Sequence, residues 1–410
     1  CNHKKIIVKD SIIKMNVSTN NNYLTILSYE YKGDLPNEIY INEQQIENIS
    51  NSFLSANIAN IDDDINNVIL IWYQNISTTY RMFKDCKSIY NIDLSNFNTG
   101  RVNNMSSMFE GCSSLNSLNL ANFDTSKVES MDKMFYRCNQ LKSLNLSNFN
   151  TSSVISMYSM FSECSVTSLN LSNFNTTLVE TMYDMFSDCT MLSSLDISSF
   201  KTGNVINMAL MFAECSSLSS LNLTHFDTSK VIYMAYMFHG CSSLSLLVIS
   251  NFNTNQVTTM NNMFQRCKNL TTLNISNFDT NQVARMDYMF SECEKLKSLN
   301  LSNFNTKKVS NMEVMFNGSS ILKSLDLSNF DILEVTSLNF VFKGCSELEY
   351  INLRIAKFKT SVSKKDIFSS TSQKLLVCSE NEDFEIFFDK KNTLIAIIVM
   401  ILNVLPIILL

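Results

Sequence analysis

Cysteine and methionine are the residues of this chain best suited to chemistry, and both recur at a fixed spacing. A thiolate can bind a metal, but structural zinc sites place cysteines in C-x-x-C pairs, which this chain lacks. A free cysteine otherwise behaves as a small hydrophobic residue. The spacing therefore predicts a column of buried, structural thiols. Ten cysteines share one repeat position: Cys86, Cys112, Cys138, Cys164, Cys189, Cys215, Cys241, Cys267, Cys293 and Cys345.

Disulfide chemistry stays open on the sequence alone. Neighbouring units of a stacked array would lie about 5 Å apart, which is within the Cα separation that a disulfide bridges. A bridge between adjacent units is therefore compatible with the spacing, although nothing requires one. Cys1 and Cys378 lie outside the array, and the sequence does not define their state.

Three acidic residues precede successive cysteines of the array: Glu163, Asp188 and Glu214. In a stack of units they would approach one another, and Ca²⁺ binds to oxygen ligands of this kind. We treat them as a weak candidate calcium site, since a solvated acidic edge explains the same pattern. No other metal and no cofactor is predicted.

Motifs of catalysis and of nucleotide binding are absent. The chain contains no P-loop, G-x-G-x-x-G, G-x-S-x-G or H-E-x-x-H, and its three scattered histidines cannot form a triad or a metal cluster. The formal net charge is −6, and no basic stripe exists that would neutralise phosphates. We therefore expect a protein that is not an enzyme, has no small-molecule substrate and binds no nucleic acid.

The elements that position these residues repeat about every 26 residues, which is typical of a solenoid. Within a unit, the Leu-x-Leu ending at Leu120 predicts a short strand. The apolar residues at Val128, Met131, Met134, Phe135 and Cys138 follow at a spacing that predicts one face of a short helix. The predicted fold is an α/β repeat solenoid, a leucine-rich-repeat-like stack of short parallel strands and short helices. A Met-Phe pair marks ten units, at Met82, Met108, Met134, Met160, Met185, Met211, Met237, Met263, Met289 and Met315, and Val341-Phe342 closes the series.

Four segments follow from this pattern: an N-terminal cap at 1–67, a solenoid of about eleven units at 68–358, a linker at 359–392 and a hydrophobic membrane segment at 393–410. In the cap, 23–31 and 38–41 read as strands, and 67–73 reads as an irregular first rung. At 1.5 Å per residue, 393–410 is about 27 Å long as a helix, near the thickness of a hydrocarbon core. It could span the membrane, be removed for a lipid anchor or begin a longer membrane region, and a buried core helix is the alternative. Cys1 fits either a processed or a truncated start.

One unit in particular, Met131 to Val154, shows the pattern M-x-x-M-F-x-x-C-x-x-L-x-x-L-x-L-S-N-F-x-T-x-x-V without interruption. This pattern resembles the BspA-like leucine-rich repeat proteins, and the resemblance covers about two thirds of the chain. It implies a leucine-rich repeat solenoid at a cell surface, often linked to adhesion or protein binding, and no catalytic residues. The chain departs from the pattern at Ser319, at Ile332 and in the shortened stretch 164–171.

The outward face of the predicted strands is the surface on which a partner would bind, because stacked repeats offer an extended face. Its central row is mostly Asn and Asp, and the preceding outward position is mostly Ser. Val248 in the central row and Leu246 in the preceding one place two apolar side chains in the middle of this polar strip. The row is either a contact strip or a solvated sheet face. We expect a protein or glycan ligand at Asp196, Asn222, Leu246, Val248 and Asn274, on a protein held at the cell surface by its C-terminal segment. A structural surface-coat spacer and an intracellular repeat scaffold are the alternatives.

Overall fold

The computed structural model describes residues 11–18, 25–46, 65–353, 357–358, 362–379 and 396–399. The chain divides into two compact units, Cys1–Ser217 and Leu218–Leu410. Both are built from strands and turns that repeat with the sequence period, so the predicted solenoid of stacked parallel strands is confirmed in each unit. Cys1 and most of 380–410 lie outside the described residues.

The N-terminal cap of the first unit is an antiparallel sheet that continues into the first repeats. The sheet contains β1 (Ser11–Ser18), β2 (Glu38–Ile41), β3 (Gln44–Gln45), β4 (Ile65–Trp72), β5 (Ile89–Asn96) and β6 (Ser117–Asn119). The order of these six strands is β3-β2-β4-β1-β5-β6. Strand β1 lies antiparallel to β4 on one side and to β5 on the other.

Two sequence predictions for this region were wrong. The sequence predicts an irregular first rung at 67–73, but most of that stretch lies in β4, which β1 separates from β5, so it belongs to the cap sheet. No strand forms at 25–31, the described part of the predicted strand at 23–31. There Glu30 instead accepts hydrogen bonds from Arg81 and from Lys84 Nζ at 3.0 Å, which ties the cap to the first repeat. The bond from Lys84 lowers the pKa of the Glu30 carboxyl.

Parallel pairing begins where β5 meets β6 and continues between later repeats. The register of β5 and β6 pairs Asn91 with Ser117, Ile92 with Leu118 and Asp93 with Asn119. Later in the unit, β7 (Ser168–Asn170) pairs in parallel with β8 (Ser194–Asp196). Residues 26 positions apart in the sequence therefore lie side by side on adjacent strands.

The Met-x-x-Met-Phe-x-x-Cys segment is a series of turns, and none of the described residues forms an α-helix. In one such segment, Met108 N donates to Met105 O and Cys112 N to Phe109 O, which are i→i−3 bonds. The alternate groups bond to the next rung, as Ser107 N does to Asp132 O and Phe109 N to Met134 O. Ser107 and Gly111 have φ values of 57° and 70°, which a right-handed helix does not allow. The helix prediction was wrong because half of the amide groups find their partners in a neighbouring repeat.

Phenylalanine, threonine and cysteine each form an inward column. Phe109, Phe135 and Phe161 are fully buried and stack with ring centroids 5.7 Å and 5.6 Å apart. In the threonine column, each hydroxyl donates to the backbone carbonyl of a residue on the next rung. It also accepts a hydrogen bond from the backbone N–H of that residue on the next rung. Eight threonines do this: Thr99, Thr125, Thr151, Thr176, Thr228, Thr254, Thr280 and Thr306.

The cysteines of the array are free and buried, as the structural interpretation predicts. Cys138 Sγ donates to Phe109 O of the preceding rung at 3.3 Å. Six other cysteines of the array make the equivalent bond: Cys112, Cys189, Cys215, Cys267, Cys293 and Cys345. Where serine replaces cysteine, Ser319 Oγ makes the equivalent bond to Phe290 O at 2.7 Å. The substitution at Ser319 therefore keeps the polar contact.

The array thiols are expected to resist alkylation in the folded chain. Burial raises the pKa of Cys164 and of Cys293 to about 12. At pH 8 the thiolate fraction of such a group is about 10⁻⁴, and the thiolate is the reactive form. Iodoacetamide labelling followed by peptide mass spectrometry should modify the array cysteines only after denaturant is added. Rapid labelling of several of these cysteines in the native chain would show that their thiols are not buried in a column.

The second unit, taken by itself, is also a stack of short parallel strands. Its described strands are β9 (Ser220–Asn222), β10 (Leu246–Val248), β11 (Ser324–Asp326), β12 (Asp331–Ile332), β13 (Tyr350–Leu353), β14 (Lys357–Phe358), β15 (Leu376–Ser379) and β16 (Ala396–Val399). Strands β9 and β10 pair in parallel, as do β11 and β13, β13 and β15, β15 and β16, and β12 and β14.

Residues 362–379 form an additional rung where the sequence predicts a linker. The Phe368 ring stacks on Phe342 at 5.5 Å, and Phe342 N donates to Ile367 O. Strand β15 follows and pairs with β13. The linker prediction was wrong for this stretch, because Ile367-Phe368 stands 26 residues after Val341-Phe342 and fills the same place.

The other two departures from the pattern are also accommodated. Ile332, which replaces the threonine, lies in β12 and pairs with Phe358 through the backbone. In the shortened stretch, Val166 is buried, and Phe161 and Phe186 still stack at 5.6 Å across it. Neither departure interrupts the stack.

The hydrophobic segment at 393–410 is described only at Ala396–Val399. These four residues form β16, in register with Leu376–Ser379 of β15, where the sequence predicts part of a membrane segment. Among the described residues, no helix has the length and apolar character needed to cross a membrane.

Candidate binding face

The alternation of the strands separates an inward leucine from two outward residues in each repeat. In β9, Leu221 is buried between exposed Ser220 and Asn222. The parallel register repeats this arrangement and places Leu246 beside Ser220 and Val248 beside Asn222. Outward side chains of adjacent strands therefore form rows, as the period-2 pattern predicts.

The Asn and Asp residues of the central row shape the turn that follows each strand. Each side-chain Oδ1 accepts the backbone N–H two residues later, at 3.0–3.2 Å, which is an Asx-turn. Hydrogen bonds from the Ser198 hydroxyl and then from its backbone N–H lower the pKa of the Asp196 carboxyl. The row residues with this bond are Asp93, Asn119, Asn145, Asn170, Asp196, Asn222, Asn274, Asn300 and Asp326.

This role was missed in the sequence, although its signal was present. A row of Asn and Asp at the end of each strand, followed by small polar residues, is typical of turn formation. Three of the five predicted contact residues therefore stabilise the following turn, because one side-chain oxygen accepts the Asx-turn hydrogen bond: Asp196, Asn222 and Asn274. Asp196 lies in the first unit and the other four in the second.

Leu246 and Val248 differ from the rest of the row. Leu246 is 55% exposed and Val248 is half-buried, while Leu247 between them is buried. Valine has no oxygen that could make the Asx-turn bond. The pair therefore gives up a local hydrogen bond and exposes apolar surface, which the folding of the repeat does not require.

The three acidic residues do lie on successive rungs, but they do not form a metal site. Glu163 N donates to Ser187 O, and Asp188 N donates to Ala213 O, which places the three backbones side by side. The Glu163 carboxylate is already engaged by Arg137 Nε at 3.0 Å and by the Tyr136 hydroxyl at 2.9 Å. Within the part of the chain that the structure describes, no three His, Cys, Asp or Glu side chains could hold a metal ion. The calcium prediction is not supported by this geometry.

Three solved structures show some similarity to this chain. An internalin of Listeria monocytogenes is 21% identical over 65% of this chain and 75% of its own, with a TM-score of 0.22. A leucine-rich repeat protein of Eubacterium ventriosum is 14% identical over 66% of this chain and 83% of its own, with a TM-score of 0.25. The TLR13–ssRNA13 complex is 20% identical over 64% of this chain, with a TM-score of 0.25, and the match spans only 39% of the TLR13 chain.

Sequence comparison identifies a family. No curated protein matches the chain. One family model matches four overlapping segments, 47–168, 139–246, 215–323 and 245–356, which together span most of the chain. The matched segments contain nearly all of the repeats. The chain therefore belongs to the family described as Mycoplasma protein of unknown function, DUF285.

Proposed function

We propose that this chain is a non-enzymatic surface protein of the BspA-like leucine-rich repeat type, which binds a protein or glycan through its outward strand face. The observation that carries the proposal is the exposed Leu246 with the half-buried Val248 on a face that is otherwise polar. Contact energy in an interface is concentrated in a few desolvated side chains surrounded by near-neutral polar ones. An apolar pair within a polar row has this arrangement.

Replacing both residues by aspartate tests the proposal. Leu246→Asp with Val248→Asp should weaken binding at least tenfold, because the charges must be desolvated when a partner docks. The measurement is adhesion of cells that display the full chain to protein-coated and glycan-coated surfaces.

The matched control is Ser298→Asp with Asn300→Asp. These two residues occupy the repeat positions of Leu246 and Val248, two repeats later in the same unit, so the control adds the same charge. The control should bind like the wild type, and both variants should keep the wild-type melting temperature. Equal adhesion by the Leu246/Val248 variant and the wild type would rule out this contact site.

Attachment at the cell surface is a second part of the proposal. The apolar character of 393–410 supports a membrane tether. Protease treatment of intact cells should remove the repeats, and deletion of 393–410 should release the chain from the membrane fraction. Repeats that stay protected until the cells are lysed would instead favour an intracellular scaffold.

A further inference from the structure

Three large apolar side chains are exposed close together in the first unit, outside the strand face. They belong to Ile155, Leu178 and Ile206, which are 43%, 49% and 40% exposed. We call these three residues the apolar patch. Neighbouring apolar side chains that face solvent mark a surface on which another molecule can dock.

A ladder between successive rungs holds the patch in register. Glu180 N donates to Ile155 O at 2.9 Å, and Ile206 N donates to Glu180 O at 2.8 Å. Adjacent members of a ladder lie about 4.8 Å apart, so Ile155 and Ile206 are about 10 Å apart with Glu180 midway between them. The residues that follow these three pair through parallel bridges: Ser156 with Thr181, and Thr181 with Asn207.

Leu178 widens the patch on its middle rung. It precedes Glu180 by two residues, and Val179 between them is buried, so the side chains of Leu178 and Glu180 both face outward. Two residues of chain span at most about 7 Å. The middle rung therefore presents an apolar and an acidic side chain next to each other.

The charge within the patch is negative. Ile155 N donates to Glu129 O at 2.9 Å, so the order along the ladder is Glu129, Ile155, Glu180 and Ile206. Both glutamates are exposed, and neither has an ion-pair partner in the described ranges. Lys127 lies beside Glu129 at the end of the row. Glu180, between the two isoleucines, is therefore the acid that a partner has to neutralise.

The spacing of the patch matches one face of an α-helix that lies along the ladder. A helix rises about 1.5 Å per residue, so positions i and i+7 are about 10.5 Å apart and can cover Ile155 and Ile206. Positions i+3 and i+4 lie side by side midway, where Leu178 and Glu180 are. An extended strand fits less well, because its side chains on one face repeat about every 6.8 Å.

We propose that the apolar patch binds a basic amphipathic helix of another protein, with apolar residues at i, i+3 and i+7 and lysine or arginine at i+4. The apolar residues bury the patch, and the cation pairs with Glu180. A second copy of this chain suits the surface poorly, because antiparallel docking centred on Leu178 would bring the two Glu180 carboxylates together. The patch lies in the first unit and Leu246 in the second, so this proposal and the strand-face proposal can fail separately.

The test uses two fluorescein-labelled helical peptides, below the concentration at which they self-associate. Both carry leucine at i, i+3 and i+7 of successive heptads, and each i+4 is lysine in one peptide and glutamate in the other. Fluorescence anisotropy should show that the full chain binds the lysine peptide at least tenfold more tightly than the glutamate peptide. Equal affinity for the two peptides, or binding of neither, would overturn the proposal.

Two variants test the residues of the patch. Ile155→Ser with Ile206→Ser should weaken binding of the lysine peptide at least tenfold. Met191→Ser is the matched control, because Met191 is 52% exposed in the same unit and lies outside the ladder, and it should bind like the wild type. Glu180→Lys should reverse the preference between the two peptides, whereas Glu349→Lys, at an exposed position in the other unit, should leave it unchanged.

The preference is a ratio of two affinities measured on the same sample, so a partly unfolded variant does not alter it. A Glu180→Lys chain that still prefers the lysine peptide would overturn the proposal. Sedimentation of the wild type provides the remaining test. A dimer that is lost in the Ile155/Ile206 variant but kept in Met191→Ser would also overturn the proposal and assign the patch to a second copy of the chain.

Discussion

Phe135→Ala is expected to destabilise the chain by about 3–5 kcal/mol, the range measured when a fully buried phenylalanine is truncated. The Phe135 side chain is fully buried and stacks between Phe109 and Phe161, so its loss leaves a cavity in the centre of the column. Neighbouring rings cannot move in to fill it, because hydrogen bonds between rungs fix their spacing. Urea unfolding followed by circular dichroism would measure the loss.

The control for this prediction is Leu178→Ala in the same unit. Leu178 is 49% exposed, so its truncation should change the free energy of unfolding by about 0.5 kcal/mol or less. Since each rung contacts only its neighbours, hydrogen exchange should accelerate most in the rungs next to Phe135. A Phe135→Ala chain that unfolds at the same urea concentration as Leu178→Ala would show that the column does not carry the stability.

Thr280→Val is expected to destabilise the chain by about 1–3 kcal/mol, although valine has nearly the same shape as threonine. The Thr280 hydroxyl donates to Asn305 O at 2.9 Å and accepts from Asn305 N at 2.7 Å. Valine can do neither, so both backbone groups of Asn305 lose their partner on the neighbouring rung. The same urea experiment measures the effect.

Thr280→Ser separates the hydroxyl from the methyl group. It keeps both hydrogen bonds and should cost less than Thr280→Val. The chain itself contains the comparison at Ile332, where the hydroxyl is missing and a backbone ladder between β12 and β14 joins the rungs instead. A valine variant as stable as the serine variant would mean that the hydroxyl column is not needed at Thr280.

Much of the interior could be predicted from the sequence. The Leu-x-Leu period predicts that Leu221 and Leu247 point inward, and the regular cysteine spacing predicts buried thiols; all of these side chains are buried. These predictions succeed because burial of a repeated apolar pattern depends on spacing alone. The additional rung at 362–379 was missed, since its Met and Cys are replaced by Ile367 and Thr371, but the 26-residue spacing of its Ile-Phe pair could have revealed it.

The candidate sites were less accessible to sequence reasoning. Leu246 and Val248 could be recognised as an apolar break in the row, and the structure shows them on the outward side of β10. The left-handed turns could not be recognised, because the residue at this repeat position changes in type, as at Tyr236, Asn262 and Tyr288. All three have φ near 60°, which no local pattern in these residues predicts.

By itself, the sequence determined the repeat, its parallel strands and the identity of its inward columns, because a fixed period of apolar residues can be buried only by stacking. Only the tertiary structure decided whether the backbone from Val128 to Cys138 forms a helix or turns. The spacing there suits a helix, but a helix would satisfy its amide groups internally. In the stack alternate amides, such as that of Lys133, bond to the next rung, so turns replace the helix.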